Sequence, residues 1–132
     1  GVPVVVDAGS HKHVFEELWP LATDVICSAD YVHPCGTAPQ SLLDRGVTLV
    51  AVSHGGAPLE WRTASESGSL PVPALDVVDT LGAGDVLHGA YAFALASGRP
   101  RPAALEFAIA AASLRVTLAG PFAWRPALAD LR

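Results

Sequence analysis

Three short apolar runs, each separated from the next by a segment of helical periodicity, constrain this chain more than any other feature. Val4-Val5-Val6 ends at Asp7. Thr23-Asp24-Val25-Ile26-Cys27 follows a stretch in which Val14, Leu18 and Leu21 recur at helical spacing. Val47-Thr48-Leu49-Val50-Ala51-Val52 follows a short helical segment from Pro39 to Arg45 that Gly46 closes. Val4 to Val6 is β-branched and continuously apolar, as a strand buried on both faces should be, and Pro3 is tolerated because it sits where that strand begins; the other two runs read as a second and a third strand. The resulting order, β-α-β-α-β, argues for an α/β fold with a mainly parallel sheet and helices packed over it.

From Pro58 to Pro73 the pattern becomes that of a hairpin: Leu59-Glu60-Trp61-Arg62 alternates, Ser65 to Ser69 is polar, and Leu70-Pro71-Val72 is apolar again. An extended stretch at Val77-Val78 leads into a Gly-rich loop. A small-residue helix then runs from about Val86 to Ala96 and stops at Gly98. Pro102 opens a second, Ala-rich helix reaching Arg115, Gly120-Pro121 breaks the chain, and Pro126 to Leu131 forms a last short helix.

Composition excludes several classes of function. The 132 residues are 51% apolar, enough for a sizeable core, and only 16% charged. Eight basic against thirteen acidic residues leave a net charge of −5, so there is no basic surface for a nucleic-acid backbone. Apolar runs fall well short of the roughly 20 residues that span a bilayer. Cys27 and Cys35 form neither a CxxC pair nor a zinc pattern, which suits reduced thiols in a cytoplasmic protein. The chain contains no Met, and it is expected to be a processed product or a piece of something longer.

The segment that carries chemistry is Asp79-Thr80-Leu81-Gly82-Ala83-Gly84-Asp85. Glycines let the backbone turn tightly, and successive amides at a helix N-terminus point at an arriving anion. An aspartate in the same turn can accept a proton from an attacking hydroxyl, the base role that phosphoryl transfer requires. Gly-rich turns with an Asp also begin many helices that do no chemistry. Two other phosphate loops are excluded. No Gly-Lys-Ser/Thr is present, and the Gly after Gly82-Ala83-Gly84 comes at Gly89, the wrong spacing for a dinucleotide fingerprint.

Continued by Val86-Leu87-His88-Gly89-Ala90-Tyr91 and by the Ala103 to Ala112 helix, this segment resembles the C-terminal signature of the ribokinase-like, or PfkB, carbohydrate kinases. The three upstream strands resemble that family in order and spacing, the third as Val50-Ala51-Val52-Ser53-His54-Gly55. The resemblance implies a three-layer α/β/α domain, of which residues 1–132 are the C-terminal nucleotide-binding and catalytic part. It implies ATP-dependent phosphorylation of a sugar or nucleoside hydroxyl, with Mg2+ and K+ as accompanying ions. Asp85 would be the catalytic base, and Gly82, Ala83 and Gly84, with the Asp85 amide, the anion hole. Ser53, Gly55 and Ile109 would contact the nucleotide, and Asp79 and Thr80 would hold a monovalent cation.

The chain departs from the family pattern in places. Ser28-Ala29-Asp30-Tyr31 stands where relatives commonly carry Asn-x-x-Glu, a motif that organises magnesium and phosphate. Pro58 stands near an expected Gly, and Leu87 where Phe is usual. A vitamin kinase of the same superfamily, acting on a hydroxymethyl group, and a non-catalytic nucleotide-binding module are the alternative readings. The sugar-binding half is expected to lie outside this sequence, so that the isolated chain binds ATP weakly, turns over no sugar, and exposes apolar surface that favours a homo-oligomer. Elsewhere, His11 and His13 read as a solvated loop, His88 as a packing or surface residue, and Trp19, Trp61 and Trp124 as core or edge packing.

Overall fold

The computed structural model describes residues 1–32 and 38–131, so Cys35 lies outside the described residues. The chain divides into two compact units, Gly1–Pro71 and Val72–Arg132.

The first unit contains β1 (Val5–Ala8), α1 (Phe15–Leu18), β2 (Asp24–Ser28), α2 (Ala38–Leu43), β3 (Leu49–His54), β4 (Ala57–Arg62) and β5 (Ser67–Leu70). The strands form one sheet in chain order. β1, β2 and β3 pair in parallel, as their helical crossovers require, whereas β3 to β4 and β4 to β5 are antiparallel hairpin connections. The sheet is therefore mixed, its parallel part being the portion in which strands and helices alternate in sequence.

The first strand is less buried than the expectation of a strand covered on both faces. β2 is buried through Asp24, Val25, Ile26 and Cys27, but in β1 Val5 and Val6 are only half-buried and Asp7 is exposed. β1 lies at one end of the strand order, which accounts for its lower burial. It also begins one residue later than expected: the Val4 amide donates to a side-chain oxygen, Thr23 Oγ1 at 2.9 Å, rather than to a neighbouring strand's carbonyl.

The first helix is the clearest correction. Val14 and Leu21, expected on its buried face, are 50% and 65% exposed, while Phe15, Trp19 and Ala22 are buried. These three positions share the same spacing moved by one residue. The larger aromatic side chains bury far more apolar area than Val or Leu, so they take the core side. Pro20 stops α1 after one turn. Phe15 and Trp19 meet with ring centroids 4.9 Å apart, and Tyr31 joins them 6.5 Å from Phe15. Together with Val25, Cys27, Leu42, Val47 and Val50 they form a continuous core cluster.

The hairpin turn sits slightly earlier than the sequence suggests. Thr63 Oγ1 accepts from the amides of Ser65 and Glu66, and β5 begins already at Ser67. Within the hairpin Trp61 lies opposite Gly68, where a Cβ would come within 2.7 Å of the indole. Gly68 is thus required by the close approach of that ring.

The second unit contains α3 (Ala83–Ala96), α4 (Arg101–Val116) and a 3-10 helix at Pro126–Leu131. α3 and α4 pack on each other. Ala94, Ala104, Ala108 and Ala111 are fully buried, and small side chains allow such helices to approach closely around Tyr91 and Leu105. No helix among the described residues is long and apolar enough to cross a membrane. Residues 72–80 form no regular strand. They are fastened instead to the end of α4: the Val116 carbonyl accepts the amides of Val78 at 2.7 Å and Asp79 at 3.2 Å. That carbonyl belongs to the last helical turn, where no intrahelical donor is available.

Candidate active site

The loop from Asp79 to Asp85 is built by its own hydrogen bonds. Asp79 Oδ1 accepts the Leu81 amide at 2.9 Å, an Asx-type turn that reverses the chain ahead of the helix. The Ala83 amide donates to the Thr80 carbonyl at 3.1 Å, and the Val86 amide to the Gly82 carbonyl at 3.0 Å. Gly82 is the N-cap of α3 at φ 76°, a left-handed conformation that costs any residue with a Cβ. α3 therefore begins at Ala83, three residues earlier than expected, and Ala83, Gly84 and Asp85 form its first turn.

This geometry refines the expected anion hole. The Ala83 amide is already engaged with Thr80. Among the described residues the amides of Gly84 and Asp85 have no acceptor, and they sit at the positive end of a 14-residue helix. The Asp85 carboxylate is exposed and leans back toward the cap, with Oδ2 3.7 Å from where a Cβ on Gly82 would stand. An acceptor carboxylate and free helix-end donors thus share one turn. The adjacent His88 is turned onto the helix, with Nδ1 2.7 Å from the Gly84 carbonyl, a contact that needs the proton on Nδ1.

Asp79 plays a different part from the one expected. Its Oδ2 accepts from Arg115 Nη2 at 2.7 Å, while Oδ1 holds the Leu81 amide. The Arg115 hydrogen bond, reinforced by the amides of Leu81 and Gly120, holds the Asp79 carboxyl below its ordinary range. Arg115, only 2% exposed, also donates through Nη1 to the carbonyls of Asp79 at 3.3 Å and Leu118 at 3.1 Å. The Thr80 carbonyl is taken by Ala83. Both oxygens of the Asp79 carboxylate and that carbonyl already hold protein donors, so these residues do not fit a monovalent cation.

Gly82 and Asp85 lie on the wall of a cavity of about 530 Å³ within the second unit, together with Phe93, Arg115, Phe122 and Trp124. Trp124 is anchored by Nε1 donating to the Pro121 carbonyl, and Arg125 stacks over Phe122 at 4.2 Å. Ile109 is buried in α4 and is not among the residues lining this cavity. The aromatic wall was not foreseen, because Phe122 and Trp124 follow a Gly-Pro break with no periodicity to mark them. Arg115 did leave a signal, as the charge in the last turn of an Ala-rich helix.

Ser53 and Gly55 belong to the first unit. Ser53 Oγ donates to the Cys27 carbonyl at 3.3 Å, beside a register shift between Val52 and His54, and Gly55 turns the chain at φ 62°. Tyr31, at the end of the Ser28 to Tyr31 stretch, is buried in the core. Among the described residues no three His, Cys, Asp or Glu side chains cluster to hold a metal ion.

The profile of the pfkB family carbohydrate kinases matches residues 7–126. The ribokinase of Bacillus subtilis is 39% identical over 106 residues, an alignment covering 74% of this chain and 36% of that protein. The structure of Thermotoga maritima ribokinase superimposes with a TM-score of 0.84 at 26% identity, over 98% of this chain and 47% of the other. Arabidopsis thaliana ribokinase complexed with ribose and ATP superimposes with a TM-score of 0.79 at 27% identity, over 99% of this chain and 47% of the other. The fold is ribokinase-like, and the chain spans well under two thirds of the length of these relatives.

Proposed function

The chain belongs to the pfkB family of carbohydrate kinases, and from that premise we propose that it carries the phosphoryl-transfer site of an ATP-dependent kinase acting on a sugar or sugar-like hydroxyl. The observation that carries this reading is the single turn holding the exposed Asp85 carboxylate and the free amides of Gly84 and Asp85.

In the reaction Asp85 takes the proton of the acceptor hydroxyl while that oxygen attacks the γ-phosphorus of ATP. The bond from phosphorus to the bridging oxygen breaks and ADP leaves. Charge on the equatorial oxygens is met by the amides of Gly84 and Asp85, which are fixed by the helix and need no reorganisation. The cavity beside Asp85 has room for a small-molecule reactant. Ser53 and Gly55 are assigned to the nucleotide on the strength of the strand-turn resemblance, and Ile109 on that of its helix position in the family. Magnesium, when bound, would neutralise phosphate charge. ATP as phosphoryl donor agrees with the cytoplasmic setting expected from the cysteine usage.

The test is ADP release by the complete gene product across a panel of pentoses, hexoses and nucleosides. Asp85→Asn, which keeps the shape and removes the base, is expected to lower kcat by about 10²- to 10⁴-fold with little change in nucleotide affinity. Unchanged turnover in that variant overturns the assignment.

A further inference from the structure

We infer that Arg115 is a built-in cation for the Asp79 to Asp85 loop, so that the loop is organised without a monovalent metal ion. The guanidinium gathers a carboxylate oxygen and two backbone carbonyl oxygens. These are Asp79 Oδ2 at 2.7 Å, the Asp79 carbonyl at 3.3 Å and the Leu118 carbonyl at 3.1 Å. One carboxylate with converging carbonyls is the hard-oxygen set that a metal ion would otherwise take. Here the charge at its centre is covalently attached to α4 and 2% exposed, and it cannot be relieved by deprotonation.

The remaining loop oxygens point the same way. Asp79 Oδ1 holds the Leu81 amide and the Thr80 carbonyl holds the Ala83 amide. A potassium ion entering this cluster would have to displace Arg115 from its partners or sit beside a like charge in a confined place. The arrangement also joins the two ends of the site. Through Arg115 the beginning of the loop is tied to the segment after α4, while Gly82 and Asp85 at the end of the loop share a cavity wall with the same arginine. Arg115 is thus a positioning residue, setting the entry of α3 through Asp79 rather than touching the reacting atoms.

The inference rests on the proposed phosphotransfer only for its consequence in catalysis, so the test reads stability first. Thermal unfolding of the complete gene product is followed in potassium, sodium and tetramethylammonium chloride at matched ionic strength. The wild type is expected to show the same midpoint in all three. Arg115→Ser is expected to unfold at lower temperature in tetramethylammonium and to recover part of the loss in potassium. Arg115→Lys, keeping the charge with a less extended donor, is expected to remain insensitive to the ion. A potassium-specific rise in the wild-type midpoint overturns the inference, and so does an Arg115→Ser protein that loses nothing or recovers nothing in potassium. If Arg115→Ser does not fold, the wild-type and Arg115→Lys comparisons still decide. Where turnover is measurable, equal wild-type rates in the three salts are expected. Absence of turnover in every salt counts against the functional reading and leaves the stability result standing.

Discussion

Arg115 Nη2 donates to Asp79 Oδ2 at 2.7 Å, joining the last turn of one helix to the loop that opens the other. Thirty-six positions separate the two residues, so the contact exists only in the folded second unit. It delivers Asp79, and with it the Leu81 turn and the Gly82 cap, to a defined place beside Asp85.

The pair makes stability depend on pH. The Asp79 carboxyl is held below its ordinary value of 3.8 in the folded chain, first by the Arg115 hydrogen bond. Its stabilising contribution is therefore complete above that value and is lost as pH falls through the lowered folded-state value. Thermal midpoints measured from neutral to acid pH should fall more steeply for the wild type than for Asp79→Asn. Parallel acid limbs would show that Asp79 is not the group responsible.

Gly82→Ala should impair the site more than the fold. The left-handed φ of 76° costs a residue with a Cβ about 1–2 kcal/mol. The new methyl would also stand 3.7 Å from Asp85 Oδ2, in contact with the proposed base. A modest drop in the unfolding midpoint, accompanied by a larger loss in kcat than in nucleotide affinity, is the expected result. Full activity in Gly82→Ala would separate the cap conformation from the chemistry.

Cys27 should be inert in the native state. It lies 1% exposed in the first-unit core, and burial, aided by the charge of Asp7, pushes its thiol up to about 12. Almost no thiolate is then available at pH 8. Mass spectrometry after iodoacetamide treatment should find Cys27 unlabelled in buffer and labelled in denaturant. Rapid native labelling at that position would contradict the burial.

Trp19→Ala should cost the first unit about 3–5 kcal/mol, because a fully buried aromatic leaves a cavity in contact with Phe15 and the sheet. Urea unfolding measures the change. Val14→Ala, at the exposed N-cap position of α1, should fall within about 0.5 kcal/mol of wild type.

The α-helical and strand segments of the first unit were legible because apolar periodicity is a local property. The α1 register was not. Val14, Leu18 and Leu21 make as regular a pattern as Phe15, Trp19 and Ala22, and only packing reveals that the aromatic set wins the core. The same holds at the loop. Gly82, Gly84 and Asp85 announce a tight turn and a helix start on their own, but the engagement of the Ala83 amide depends on how the chain actually turns.

By itself, then, the sequence determined the alternation of strands and helices, the hairpin, the two Ala-rich helices and the glycine-aspartate turn, all of which follow from neighbours in the chain. Tertiary structure decided which side chains fill the core and which oxygens of Asp79 are already taken. It also brought Arg115 from the end of α4 to the loop ahead of α3, a meeting of distant residues whose geometry no local pattern encodes.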